Sequence, residues 1–247
     1  MSTPATHETR VARALDVLAP PGAVRSLLSL RLTERSTEEE ETLRTSLGDP
    51  AAGLHPAEVA EHHRDLERYG LLRTSSTGLE ATAAAKELWP VFLAAAGWAA
   101  KHRPRLIAEE PIGVAVEEVL RIGAQPLTVP VLDRLRAGTA TEGDLARMMT
   151  ATARAQLPDQ LSVFVQQGLL ERLPDGALRA TAAGGQLAEV HDTLADWYAR
   201  HLAPGMPAGC PRPNRRASAL AGPAKVTREE PASVRPQPTT GSPSHRR

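Results

Sequence analysis

With 247 residues and a hydrophobic fraction of 41%, the chain can fill one or two small cores, built on Leu, Val and Ala because aromatics reach only 3%. Its single cysteine, Cys210, excludes an intrachain disulfide framework and any all-cysteine metal site. The formal net charge is zero but unevenly spread: eight basic side chains face two acidic ones after residue 210, a net of +6, which leaves −6 on the remainder.

The opening stretch, MSTPATHETR, lacks an apolar core behind a basic end, so no signal peptide is expected. In residues 8–18, Val11, Ala14, Leu15 and Leu18 share one helical face, and Pro20, Pro21 and Gly22 end the helix. A second helix is predicted from Ala23 to Leu32. Ser36 and Thr37 ahead of Glu39 and Glu40 form a capping-box pattern that opens a third, ending near Leu47. After the loop GDPAAGL, Pro56 suits the first turn of a fourth helix reaching Tyr69. A hairpin with the turn SSTG follows, then a long Ala-rich helix that Pro90 is expected to kink. Its longest uncharged run, Leu88 to Ala100, is too short to span a bilayer, so a soluble cytoplasmic protein with no membrane partner is expected.

Residues 103–112 read as a linker, after which the order repeats. A helix near Gly113–Ile122 breaks at Gly123–Pro126, and another runs from Leu127 to Arg136. Thr141 is placed to cap the stretch DLARMM. The next helix ends at Gly168, and Pro158 inside it predicts a late start or a kink. From Pro204 onward, nine prolines in 44 residues without apolar periodicity predict a disordered tail over 204–247.

The repetition extends to single residues. Gly70 aligns with Gly168, Leu71 and Leu72 with Leu169 and Leu170, Gly78 with Gly176, and Thr82 with Thr181. Trp98 aligns with Trp197 and His102 with His201, the offset moving only from 98 to 99. This is an internal duplication, and it decides the architecture. In each copy a glycine closes a helix, two short strands flank a turn, and a threonine caps the helix behind. Helix, hairpin, helix is the back half of a winged-helix module. The expected fold is therefore mainly α with small β-hairpins (α+β), as two tandem winged-helix modules over 8–102 and 113–203.

The stretches ALDVLAPPGAVRSLL, LHPAEVAEHHRDLERYGLL and LEATAAAKELWPVFLAAAGWAAKH resemble the HxlR-type winged-helix regulators of bacteria. In the second half VEEVLRIGAQPLTVPVL, GDLARMM, QQGLLER and LRATAAGGQLAEVHDTLADW are similar, less closely. MarR- and PadR-like proteins share the same Gly-Leu, hairpin, Leu-Thr grammar. The resemblance implies a DNA-binding regulator whose terminal long helices mediate dimerisation. Here the two would dock on each other within one chain as a pseudo-dimer, Trp98 and Trp197 lying near the twofold axis. Leu88, Phe92 and Trp98 in the first helix and Leu187, Leu194 and Trp197 in the second recur at the spacing such a seam needs. The alternative is that each stripe only covers its own module's core, and a homodimer of the whole chain in addition to the pseudo-dimer stays open. The chain departs from the family pattern in the acids Glu58, Glu61, Asp65 and Glu67, which outnumber Arg64 and Arg68 on the recognition helix, and in His63, where a core leucine is usual.

The expected partner is duplex DNA. Candidate contacts in the first half are His62, Arg64, Arg73, Ser75 and Ser76, with Thr77; in the second they are Arg154, Gln156, Gln160, Arg172 and Arg179. Arginine matches guanine edges and glutamine adenine edges. Adjacent His62 and His63 point about 100° apart on a helix and do not share an ion, so His63 reads as a structural, partly buried residue. His191, beside Glu189 and Asp192, reads as part of a polar helix face. No phosphate loop, dinucleotide fingerprint or nucleophile elbow occurs, so neither an enzyme nor a cofactor is expected. Two other readings stay open: a degenerate winged-helix module that binds protein rather than DNA, and a ligand-responsive protein with a pocket between its modules.

Overall fold

The structure, a computed structural model, describes residues 6–33, 56–76 and 78–202. The predicted third helix, the GDPAAGL loop before Pro56, Thr77 and the Pro-rich tail lie outside the described residues. The described chain is mainly helical with two small antiparallel hairpins.

In the first half, α1 (His7–Leu18) is capped by Thr6, and α2 (Ala23–Thr33) follows the Pro-Pro-Gly break. Helix α3 (Pro56–Arg68) ends at Gly70, whose φ of 70° is the left-handed value that favours glycine. Strands β1 (Leu72–Ser75) and β2 (Gly78–Ala81) pair with Arg73 opposite Glu80 and Ser75 opposite Gly78. The expected single long helix is two: α4 (Ala83–Lys86) and α5 (Trp89–His102). Pro90 does not kink a continuous helix but sits in the first turn of α5. Its missing N–H costs nothing there, and the ring avoids the Lys86 carbonyl that continuous helix would set against it.

The stretch read as a linker carries a helical turn and a half, α6 (Pro104–Glu109). The second half then runs α7 (Ile112–Gly123), α8 (Thr128–Arg136), α9 (Glu142–Arg147) and α10 (Ala151–Gln166). Thr141 and Asp144 make a reciprocal capping box on α9. The hydrogen bonds from Thr141 hold the Asp144 carboxyl below its usual range. Helix α10 starts at its Thr150 cap, not late, and continues through Pro158. Gly168, at φ 73°, closes it. Strands β3 (Leu170–Arg172) and β4 (Leu178–Ala180) pair with Glu171 opposite Arg179, and Ala140 adds a one-residue bridge to Leu178. Helix α11 (Ala182–His201) is unbroken, Glu189 standing where α5 has Pro90.

The halves share one apolar core. Helix α1 packs on α11, α7 on α5, and α5 and α11 on each other. The N-terminal helix of each half thus covers the terminal helix of the other. Trp197, Phe164, Leu66, Leu88 and Leu161 are fully buried in this common cluster. A buried ion pair joins the halves elsewhere: Glu117 on α7 accepts the backbone N–H groups of Gly22 (2.8 Å) and Arg25 (3.2 Å) and the Arg25 Nε–H (3.0 Å). One half thereby supplies the N-terminal cap of α2 in the other. Burial pushes the Glu117 carboxyl up, against the pull of the Arg25 and Gly22 hydrogen bonds.

Candidate nucleic-acid interface

The contact between α5 and α11 is reciprocal, residue for residue. Trp98 Nε1 donates to the Ala183 carbonyl oxygen and Trp197 Nε1 to the Ala84 carbonyl oxygen, each at 2.8 Å. Donors and acceptors are both related by the 99-residue offset of the repeat. His102 Nε2 lies 2.6 Å from Gln186 Oε1, and His201 Nε2 lies 2.8 Å from Glu87 Oε2, again equivalent positions. Each histidine also leans on the tryptophan one turn earlier, with ring centroids 5.3 and 6.2 Å apart. Leu88, Phe92, Trp98, Leu187, Leu194 and Trp197 are all buried in the one core cluster. Arg103 connects this seam to α10: its guanidinium stands 5.6 Å over the Trp98 ring and donates to the Gln167 carbonyl oxygen at 2.7 Å. That carbonyl is at the C-terminal end of α10, where a cation is favourable.

Each half presents a helix and a hairpin away from the seam residues, and here the halves differ. On α3, Arg64 Nε donates back to the Ala60 carbonyl at 3.2 Å, and Arg68 pairs with Asp65 at 3.0 Å. In the first hairpin, Nε and Nη2 of Arg73 both donate to Glu80 Oε2, at 3.1 and 2.9 Å. Ser75 donates to the other Glu80 oxygen at 2.6 Å, and Thr74 to Glu67 at 2.6 Å. Ser76 is exposed in the turn, and His62 is half-buried. Carboxylates of the same half thus hold the first hairpin's candidate donors Arg73 and Ser75. His63 is half-buried, and burial, with the neighbouring His62, depresses its pKa. At the repeat offset it stands where α10 has the fully buried Leu161.

In the second half, Arg154 donates to the carbonyls of Ala146 in the last turn of α9 (3.1 Å) and of Met149 just beyond it (3.3 Å), with no carboxylate involved among the described residues. Among the described residues Arg172 donates only to the Gly176 carbonyl, at 3.4 Å. Gln156 is exposed, Gln160 is half-buried, and neither has a side-chain partner among the described residues. Arg179 alone of these five is neutralised, by Glu171 at 2.7 Å. Residues 56–81 carry five acidic and three basic side chains, a net of −2, whereas 151–180 carry three of each.

Several residues that shape this surface went unassigned in the sequence reading. Glu80 and Glu171 fix the hairpin arginines, and their signal was the cross-strand register itself. Glu117 acts across a separation of 95 residues, which no local pattern reveals. His191, read as part of a polar face, is fully buried, and both ring nitrogens lack hydrogen-bond partners among the described residues. Its spacing from Leu187 and Leu194 was the overlooked signal, because three- and four-residue steps put it on the buried stripe. Compared with protein-family models, curated proteins and solved structures, the chain finds no match in any of the three.

Proposed function

We propose that this protein is a cytoplasmic transcriptional regulator that binds duplex DNA, built as two tandem winged-helix modules packed as an intrachain pseudo-dimer. The observation that carries the reading is the reciprocal seam, in which Trp98 and Trp197 each bond the start of the other half's terminal helical segment. Reciprocity of this kind is the signature of a twofold relation. Two helix–hairpin units held about a twofold axis match the near-symmetry of duplex DNA, whose successive major-groove faces on one side lie about 34 Å apart. The bridge from Ala140 to the second hairpin supports the same reading, since it adds a short third strand ahead of the helix that would enter the groove. Among the described residues no helix is long and apolar enough to cross a membrane.

The test is retention of random-sequence duplexes by the full chain, followed by binding curves on the enriched sequences at two salt concentrations. A regulator of this class gives enriched sequences and an affinity that falls with salt as phosphate contacts release counterions. Failure to retain duplex even at low salt would refute it. A second reading, a winged-helix module that docks protein instead of DNA, is favoured by Glu58, Glu61, Asp65 and Glu67 on α3, and it takes over if duplex binding is absent.

A further inference from the structure

We infer that only the second half reads bases, so that the chain recognises a single unrepeated, adenine-containing half-site instead of an inverted repeat. This rests on the DNA-binding reading above. The 98-residue offset that aligns Gly70 with Gly168 also aligns the two groove-facing helices. It sets Gln156 against Glu58, Gln160 against His62, Asp159 against Glu61 and Val163 against Asp65. Gln156 and Gln160 are one turn apart on one face of α10, and their amides carry both a donor and an acceptor. That pairing of groups matches the N6 and N7 edge of adenine. At the same places α3 offers the Glu58 carboxylate and an imidazole, with Glu61 and Asp65 beside them. A carboxylate has no donor for adenine, and a net charge of −2 on the first helix–hairpin unit opposes the flanking phosphates.

The cations follow the same division. Around the second helix, Arg154 and Arg172 bond only backbone carbonyls among the described residues, which leaves their charge uncompensated by a carboxylate there. In the first half, Arg68 and Arg73 are held by Asp65 and Glu80 and Arg64 alone bonds a backbone carbonyl, whereas in the second half Arg179 alone is held by a carboxylate, Glu171. The seam places the first unit where a twofold partner would stand, but that unit lacks the surface to read.

The experiment selects sequences from a random duplex library with the full chain, then measures binding to the selected core and to a scrambled duplex. The expected product is one unrepeated core containing adenine. Gln156→Ala with Gln160→Ala should lower affinity for that core by at least about tenfold while scrambled-duplex affinity stays within about twofold, since base contacts specify and phosphate contacts do not. Glu58→Ala should leave core affinity undiminished. Both glutamines lie outside the buried core, and an unchanged thermal transition of the double variant separates lost contact from lost fold. An enriched inverted repeat with half-sites about one helical turn apart would overturn the inference and leave DNA binding intact. So would a loss from Glu58→Ala as large as that from the glutamine pair. Absence of any enriched sequence would overturn both this inference and the reading beneath it.

Discussion

The buried imidazole of His191 makes the stability of this protein pH-dependent in a direction the structure dictates. The ring is fully buried, and a Cβ added at Gly123 would meet its Nε2 at 2.9 Å, so the side chain rests against the α7 backbone. Neither ring nitrogen has a hydrogen-bond partner among the described residues. Burial, then the nearby His7 and Arg136, lower its pKa from 6.5 to about 3, with only Asp192 pulling the other way. The unfolded chain therefore binds a proton that the folded chain refuses, throughout the window between those two values. Stability is full above about pH 6.5 and declines as pH falls, by up to about 1.4 kcal/mol per pH unit, or about 2 kcal/mol by pH 5. The assay is urea denaturation of wild type and His191→Leu across that range. The variant should lose this component of the slope. It should also match or exceed wild type at pH 7, because it replaces an unpartnered buried polar group with an apolar one. Parallel stability curves for the two proteins would refute the argument.

Five further substitutions probe packing. Gly184→Ala would push a methyl into the Leu169 carbonyl and against Leu132, and should cost about 3 kcal/mol in denaturant titration. The aligned position in the first half is already Ala85, so Ala85→Gly should cost no more than about 1 kcal/mol. Trp98→Phe and Trp197→Phe each strip one carbonyl of its indole donor and should cost about 1–3 kcal/mol by the same titration. Because both act on one seam, the double variant should depart from additivity. Glu117→Ala leaves the Arg25 guanidinium buried without this carboxylate and two N–H groups uncapped, and a loss of about 3–5 kcal/mol in unfolding free energy is expected.

What the sequence disclosed was largely local. Thr82, Thr141 and Thr181 each accept a backbone N–H as predicted from their place ahead of Ala-rich or acidic first turns. Gly70 and Gly168 take the positive φ that a helix end with an immediate strand requires. Turn position also made the hairpins legible, and with them the pairing of Arg73 with Glu80. That pairing belongs to facing residues, so no arginine taken singly reveals it. Pro90 and Pro158 show the limit of a local rule. One lies at the start of a new helix and the other inside a continuous one, and a rule that sees only the proline does not tell them apart. The capping of α2 by Glu117 and the seating of His191 on Gly123 depend on which helices meet, so they became visible only with the packing.

Having both copies in one chain lets each position change without its counterpart changing. A homodimer cannot do this, since one substitution there appears on both sides of the axis. The two halves show the consequence in graded form. At the seam, the tryptophans, the alanine carbonyls they bond and the histidines one turn on are the same in both copies, although the histidines face Gln186 in one and Glu87 in the other. One step outward, Ala85 is matched by Gly184, and α5 with its Pro90 by an unbroken α11; each half has adjusted its own packing. On the hairpins the ion pair is kept but inverted, Arg73 with Glu80 in one and Glu171 with Arg179 in the other. Such an inversion leaves each strand pair neutral, so it is invisible to folding and alters only the charge presented outward. On the helices the difference is largest, Glu58 and His62 against Gln156 and Gln160. The core diverges too, Phe92 being matched by the buried His191 and Ala95 by Leu194, so what both copies keep is the tryptophan–carbonyl seam, while the outer surfaces differ as expected if they answer to different partners.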